Sequence, residues 1–166
     1  IKSNASPTLA DCGYLLEFDS KEDNDPCFKT SNGIKIKYKD DAIEGTALAT
    51  AVQNKIQGIE DNLDNGNYAA AYENLDLNTV VDQWLIWELT MNREYGDPGS
   101  VYMYMDGNGK LCAGPVWDFD WSFNYEENRT YCTSGATNNI LNYQTSRPGC
   151  KFFTKLWNSS PWLKHE

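Results

Sequence analysis

Two aspartates separated by one residue, Asp118 and Asp120, are the strongest candidates for chemistry in this sequence. Aromatic residues alternate with them at Trp117, Phe119 and Trp121. On an extended backbone, residues two apart point to the same side, so the two carboxylates are expected to face each other. Such a pair repels itself, and among aromatic rings it must take up a proton or bind a cation. A hard ion such as Mg²⁺, bridging to phosphate oxygens, suits the pair best.

Carboxylates have to carry the chemistry because the other common catalytic groups are poorly represented. The single histidine, His165, is the last residue but one, and the five cysteines have neither C-x-x-C nor Cys/His spacing. A zinc site and a Ser or Cys hydrolase with a histidine base are therefore not expected. A second interpretation of the aspartate pair, in which one carboxylate caps a turn and the other faces water, needs no metal.

The composition excludes one large class of partners. The 166 residues include 14 Lys and Arg against 24 Asp and Glu, which gives a net charge of −10. Nucleic acid is not an expected partner, because binding phosphates requires clustered Lys and Arg. Hydrophobic residues make up 40% of the chain and supply a core for one domain. No apolar run approaches the ~20 residues that cross a bilayer, so we expect no transmembrane segment, and we expect a monomer.

The cysteines favour an oxidising compartment. Cys132 and Cys150 bracket a loop rich in Gly, Ser, Thr and Asn that a disulfide would close. Cys12 and Cys27 flank a candidate hairpin. The odd number of cysteines leaves one thiol over, and free buried cysteine is common, so the pairing stays open.

The hydrophobic pattern indicates the elements that must position the aspartates. Two β runs, 14–19 and 34–38, are predicted to form a hairpin or two neighbouring strands. The runs 101–105 and 110–113, joined by Asp-Gly-Asn-Gly, predict a hairpin that leads directly to the aspartate pair. A loop-rich excursion is expected over 125–149. The predicted helices cover about 41–63, 68–74, 79–91 and 151–163.

The helix over 79–91 is predicted to lie in the middle of the fold. Thr79 followed three residues later by Asp82 indicates a capping box, and the segment is apolar nearly all round. Packed beneath the 101–113 hairpin, it gives an α+β fold, mostly helical with small antiparallel hairpins. Glu88 within this helix has two interpretations, a structural hydrogen-bonding carboxylate or a functional one.

The segment G-P-V-W-D-F-D at 114–120 resembles the signature of the CotH (spore coat protein H) kinase family. The resemblance implies an atypical protein kinase that transfers the γ-phosphate of ATP to Ser or Thr of a protein, and this chain is similar to its C-terminal lobe. The similarity covers residues 13–125 and extends through G-Y-L-L-E-F-D at 13–19, W-L-I-W-E-L at 84–89, M-N-R-E at 91–94, S-V-Y-M-Y at 100–104 and N-G-K-L at 108–111.

The resemblance implies roles for the acidic residues. Asp118 and Asp120 would bind Mg²⁺ or Mn²⁺, one of them in the position of the metal aspartate of ordinary kinases. The catalytic base is expected in the family's N-x-D stretch, which here is 92–94. Glutamate replaces the expected aspartate there, so the base is either Glu94 or Asp97.

Two polar residues are expected at cofactor-binding positions by the same resemblance. Asn92 begins the N-x-D stretch, and Ser100 stands where an asparagine metal ligand is often found. ATP would be the cofactor of the full-length protein.

The resemblance also leads us to expect a fragment. The family's nucleotide-binding lobe, with its ATP-pairing lysine, should precede Gly13, and only 12 residues do so. Lys35 and Lys37 follow that strand and are interpreted as strand-face lysines. Residues 1–12 are then a tail and 13–166 a single domain, which is expected to be inactive or nearly so by itself.

Members of the family are often secreted or surface proteins, including spore-coat factors and polypeptides of polysaccharide-degrading organisms. An extracellular or cell-surface location is therefore implied, with a protein substrate or carbohydrate-associated surface proteins as partners. The competing hypothesis is a non-catalytic pseudokinase module that binds carbohydrate or protein through Trp117, Trp121, Tyr125 and Tyr143. A third interpretation has the D-x-D motif bind Ca²⁺ for rigidity.

Overall fold

The computed structural model of the chain describes residues 13–21, 23–39, 45–90, 92, 99–106, 108–119, 122, 152 and 155–156. The described strands are β1 (Tyr14–Phe18), β2 (Cys27–Lys29), β3 (Lys35–Tyr38), β4 (Val101–Met105) and β5 (Leu111–Ala113). The described helices are α1 (Ala47–Asp64), α2 (Tyr68–Glu73) and α3 (Leu77–Thr90). The predicted α+β fold class is confirmed.

The five strands form one antiparallel sheet in the order β2-β3-β1-β4-β5. Its central strand is β1, in which Leu16 lies opposite Tyr38 of β3 on one side and Met103 of β4 on the other. The first two β runs are therefore neighbouring strands, as predicted. The expected separate hairpins are instead joined into one sheet, because β1 pairs along both of its edges.

One face of this sheet forms a single core with α1. Strand alternation places Leu16, Ile36 and Met103 on that face, and all three are buried. Tyr38 lies close to α1, since Gln53 donates a hydrogen bond to its hydroxyl at 2.8 Å. The buried stripe of α1 has the predicted helical spacing and consists of Val52, Ile56, Ile59 and Leu63.

The ends of α1 follow from local chemistry. The hydroxyl of Thr46 accepts a hydrogen bond from the Ala49 amide at 3.1 Å and caps the helix. The predicted start near residue 41 lies outside the described residues. The predicted stop at Asn-Gly-Asn is confirmed, because Gly66 has φ +73°, a conformation that glycine adopts without steric cost.

The start of α3 differs from the prediction. Its first residue is Leu77, and the carboxylate of Asp76 accepts hydrogen bonds from the amides of Asn78 and Thr79. The predicted capping box of Thr79 and Asp82 is therefore wrong, because Thr79 already lies in the first turn. Strand β5 fixes this arrangement: the Asp76 amide donates to the Leu111 carbonyl at 2.9 Å.

The prediction that α3 is surrounded by the core is also wrong. Leu85, Ile86 and Leu89 are exposed by 51%, 39% and 76%. Trp87 on the opposite side of the helix is 1% exposed. The helix is thus buried on one side only, although its sequence is apolar on both.

The described residues also bear on membrane spanning, the cysteines and the predicted last helix. Where the structure describes the chain, no helix is long and apolar enough to span a membrane. Of the cysteines, Cys27 and Cys112 are free thiols. The described part of the predicted last helix contributes Phe152 and Leu156 to the core.

Several predicted features lie outside the described residues. They are the 1–12 tail, the 125–149 excursion, Cys12, Cys132, Cys150, Trp121, Tyr125, Tyr143, His165 and the side chain of Glu88.

Candidate functional site

The candidate site forms where the chain leaves β5. The amide of Gly114 donates to the Tyr102 carbonyl at 3.0 Å and so extends the β4–β5 pairing by one step. Residues 115–119 then continue as irregular backbone to the first aspartate of the predicted pair. The predicted hairpin therefore delivers this aspartate to the end of the sheet where β4 begins.

Asp118 and Ser100 face each other in an uncommon backbone conformation. Their φ angles are +58° and +55°, in the left-handed region that residues other than glycine seldom adopt. The Ser100 hydroxyl donates to the Asp118 carboxylate (Oγ to Oδ2) at 3.3 Å. Asp118 itself is exposed. The expectation of an extended backbone through the D-x-D motif is wrong at Asp118, because its positive φ turns the chain.

Asn92 also contacts Asp118, through the backbone of that residue. Its side chain is fully buried, and its Nδ2 donates to the backbone carbonyl of Asp118 at 3.3 Å. Its own amide donates to the Trp87 carbonyl at 3.0 Å, just beyond the last turn of α3. The predicted site residues Asn92, Ser100 and Asp118 are thus brought together.

The aromatic residue between the two aspartates is anchored to α3. The ring centroids of Trp87 and Phe119 lie 6.1 Å apart at an interplanar angle of 68°, an edge-to-face contact. The Phe119 carbonyl accepts a hydrogen bond from the Ser122 amide at 2.9 Å, which closes a turn. Phe119 is partly buried and packs against the core, whereas Asp118, its neighbour in sequence, is exposed. The ring therefore holds the segment while the carboxylate faces solvent.

Three predicted site residues, Glu94, Asp97 and Asp120, lie outside the described residues. Within the described part of the chain, no group of three or more His, Cys, Asp or Glu side chains could hold a metal ion. Magnesium in phosphoryl transfer is bound through one or two carboxylates together with substrate phosphates. Asp118 has the right donor chemistry for one of these ligands.

An ion-pair cluster around a buried lysine lies at the same end of the sheet. Phe18 pairs with Val101, so the residues next along each strand, Asp19 and Ser100, occupy neighbouring strand ends. The ammonium of Lys37 lies 2.6 Å from the Asp19 carboxylate and also pairs with Asp23. Lys37 is thus a strand-face lysine, as predicted, and it is engaged by carboxylates of this chain.

The ion pairing shifts the pKa values of Lys37 and Asp23. Burial alone would lower the pKa of the Lys37 ammonium, but hydrogen bonds to Asp19 and Asp23 outweigh it and raise that pKa. The hydrogen bond from Lys37 in turn lowers the pKa of the Asp23 carboxyl. The Lys37 ammonium and the Asp23 carboxylate therefore stay charged over the physiological range.

A family model described as CotH kinase protein matches residues 2–166. The chain belongs to the CotH kinase family. This match is wider than the 13–125 resemblance found by motif and includes the residues treated as a tail. Comparisons with curated proteins and with solved structures gave no significant match.

The sequence motifs of this CotH family chain did not predict two features of the site. One is the contact of Trp87 with Phe119, and the other is the hydrogen bond from Asn92 to the backbone of Asp118. The apolar character of 84–89 indicated a buried helix, but not which aromatic ring would meet the D-x-D segment. The N-x-D resemblance drew attention to Asn92, but nothing in that pattern indicated a contact with the backbone of Asp118.

Proposed function

We propose that this CotH family protein belongs to a metal-dependent phosphotransferase that passes the γ-phosphate of ATP to Ser or Thr of a protein. The observation that carries the proposal is Asp118: an exposed carboxylate whose side chain and backbone are held by different residues. A carboxylate fixed in this way is the group that phosphoryl transfer requires to hold Mg²⁺ or Mn²⁺.

The chemistry depends on positioning and on charge neutralisation. A bound divalent ion would neutralise the phosphate oxygens. Asp118, with Asp120, would hold that ion, and the hydrogen bond from Ser100 would orient the Asp118 carboxylate. Glu94 or Asp97 would accept the proton of the attacking hydroxyl, so the identity of the base stays open between them.

A second candidate function is a non-catalytic surface module that binds carbohydrate or protein. It is favoured by Trp117, which is 62% exposed directly beside Asp118. Exposed indole rings stack on sugar rings and form protein contacts. An extracellular or cell-surface location, with surface proteins or a protein substrate as partners, is compatible with both functions and rests on the family resemblance.

The deciding experiment measures binding, which does not depend on turnover. Mn²⁺ affinity of the whole 166-residue chain is measured with and without ATP by titration calorimetry and electron paramagnetic resonance. We expect metal binding that Asp118→Ala weakens by more than about tenfold, because loss of even a residue that only orients a metal ligand costs about 10- to 100-fold in affinity. The matched control is Asp82→Ala, which removes an exposed carboxylate from α3.

Two results would contradict the phosphotransferase. One is the absence of any metal binding by the unaltered chain, and the other is equal affinity in Asp118→Ala and Asp82→Ala. Binding of a polysaccharide in the presence of a chelator, lost on Trp117→Ala, would instead support the surface module.

A further inference from the structure

We infer that Asn92 is a positioning residue, which acts on metal binding through the backbone of Asp118 and does not touch the cofactor. The inference rests on the proposed function of Asp118. It replaces the cofactor-binding role that the family resemblance implies for Asn92.

The burial of the Asn92 side chain supports a positioning role. The side chain of Asn92 is fully buried, so its amide is not presented to a nucleotide in solvent. Buried side-chain amides are held by internal hydrogen bonds, and this one donates to the Asp118 carbonyl at 3.3 Å. Ser100 and Asp118, by contrast, are accessible to solvent.

The C-terminal end of α3 and Asn92 together hold the peptide unit after Asp118. Asn92 binds the carbonyl of Asp118, and Trp87 contacts the ring of Phe119. Asn92 is itself fixed to the helix, because its amide donates to the Trp87 carbonyl at 3.0 Å. One contact therefore comes from the last turns of α3 and the other from a residue just beyond them that is hydrogen-bonded to the helix.

These contacts also bear on the backbone conformation of Asp118. Its φ is +58°, a left-handed conformation that aspartate adopts more readily than most residues but still at a cost in free energy. Without the Asn92 donor, the Asp118 peptide can relax to negative φ, which redirects the carboxylate. Loss of Asn92 should therefore weaken metal binding although Asn92 is not a ligand.

The test compares two buried amides that both donate to backbone carbonyls. Asn92→Ala removes the donor to Asp118, and Gln83→Ala removes a buried amide that donates to the Tyr102 carbonyl at 3.4 Å. We expect Asn92→Ala to reduce the affinity for Mn²⁺ alone by about tenfold, the usual effect of losing a group that orients a ligand. Gln83→Ala should leave that affinity within about twofold.

Measuring the affinity for Mn²⁺ without nucleotide distinguishes a positioning role of Asn92 from direct contact with the nucleotide. If Asn92 contacts the nucleotide, Asn92→Ala weakens binding of ATP but leaves affinity for the metal alone unchanged, which overturns the inference. Equal losses in Asn92→Ala and Gln83→Ala overturn it as well, because the effect would then be general loosening. The Mn²⁺ resonance spectrum should also change in Asn92→Ala and not in Gln83→Ala.

The outcome remains distinguishable from failure of the proposed function. If the unaltered chain and Asp118→Ala bind Mn²⁺ equally, the proposed function fails first. If Asp118→Ala loses binding while Asn92→Ala keeps it, only the positioning role fails. Should Asn92→Ala not fold, Asn92→Ser carries the same test, because its shorter side chain leaves the Asp118 carbonyl out of reach.

Discussion

Asp118 combines an unfavourable backbone conformation with an exposed carboxylate. For residues other than glycine, the left-handed conformation costs on the order of 1 kcal/mol, and the hydrogen bond from Ser100 is long for a hydroxyl donor at 3.3 Å. This hydrogen bond alone does not offset the free-energy cost of the left-handed conformation. The contacts of Asn92 and Phe119 must therefore maintain the conformation, which is the usual situation of strained residues at functional sites.

Replacing Asp118 by glycine and by alanine tests this conformation directly. Both Asp118→Gly and Asp118→Ala remove the carboxylate and its hydrogen bond, so they differ mainly in the cost of a positive φ. We expect Asp118→Gly to be more stable than Asp118→Ala by about 1 kcal/mol in urea unfolding. The same pair of substitutions at Asp82, within helix α3, should show the opposite order, because alanine favours a helix.

If Asp118→Ala were as stable as Asp118→Gly, or more stable, the backbone at position 118 would not be left-handed in solution. Asn92 would then have no strained conformation to maintain, which would weaken the positioning role inferred for it.

At the scale of elements, α3 and β5 determine each other's geometry. The outer edge of β5 is covered by the junction of α2 and α3, since Leu111 exchanges hydrogen bonds with Asn74 and Asp76. The amide of Ala113 donates to the Thr79 hydroxyl at 3.0 Å. An edge strand covered in this way is protected from pairing with other chains, and it is fixed relative to the helix that carries Trp87.

The cap of α3 gives a prediction at this scale. Asp76→Ala should destabilise the fold by about 1 kcal/mol, the usual cost of losing an N-cap carboxylate. Asp82→Ala should change stability by less than about 0.5 kcal/mol, because Asp82 is exposed within the helix. Urea unfolding of the two variants compares them, and the reverse order would restore the capping box of Thr79 and Asp82.

At the scale of the whole molecule, one core includes residues from both ends of the described chain. Phe152 and Leu156 are each 1% exposed and belong to the same buried cluster as β1. The rings of Phe18 and Phe152 lie 5.4 Å apart. Lys155 adds an ion pair with Asp64 at the end of α1. The Phe152 side chain therefore packs against the central strand of the sheet.

Truncating Phe152 measures that contribution. Phe152→Ala should destabilise the chain by about 3–5 kcal/mol, because it removes a buried ring from the core against Phe18. The control is Tyr68→Ala, which truncates an aromatic ring that is 42% exposed and should cost much less. Thermal and urea unfolding provide the measurement, and equal effects of the two substitutions would show that the segment is not part of the core.

The sequence by itself determined the features that depend on neighbours along the chain. The stripe of α1, its glycine stop and the 101–113 hairpin follow from local periodicity and turn chemistry. The family followed from the short D-x-D signature and its preceding hairpin, and the match over 2–166 confirms it. In each case the deciding residues lie within a few positions of one another.

Only the tertiary structure decided the features that depend on contacts between distant segments. Examples are the single sheet around β1, the exposed side of α3 and the cap supplied by Asp76. The positive φ of Asp118 belongs here too, because Asn92, 26 positions away along the chain, binds its carbonyl. A short pattern does not specify such a conformation, since it is locally unfavourable and here occurs together with hydrogen bonds and packing from distant residues.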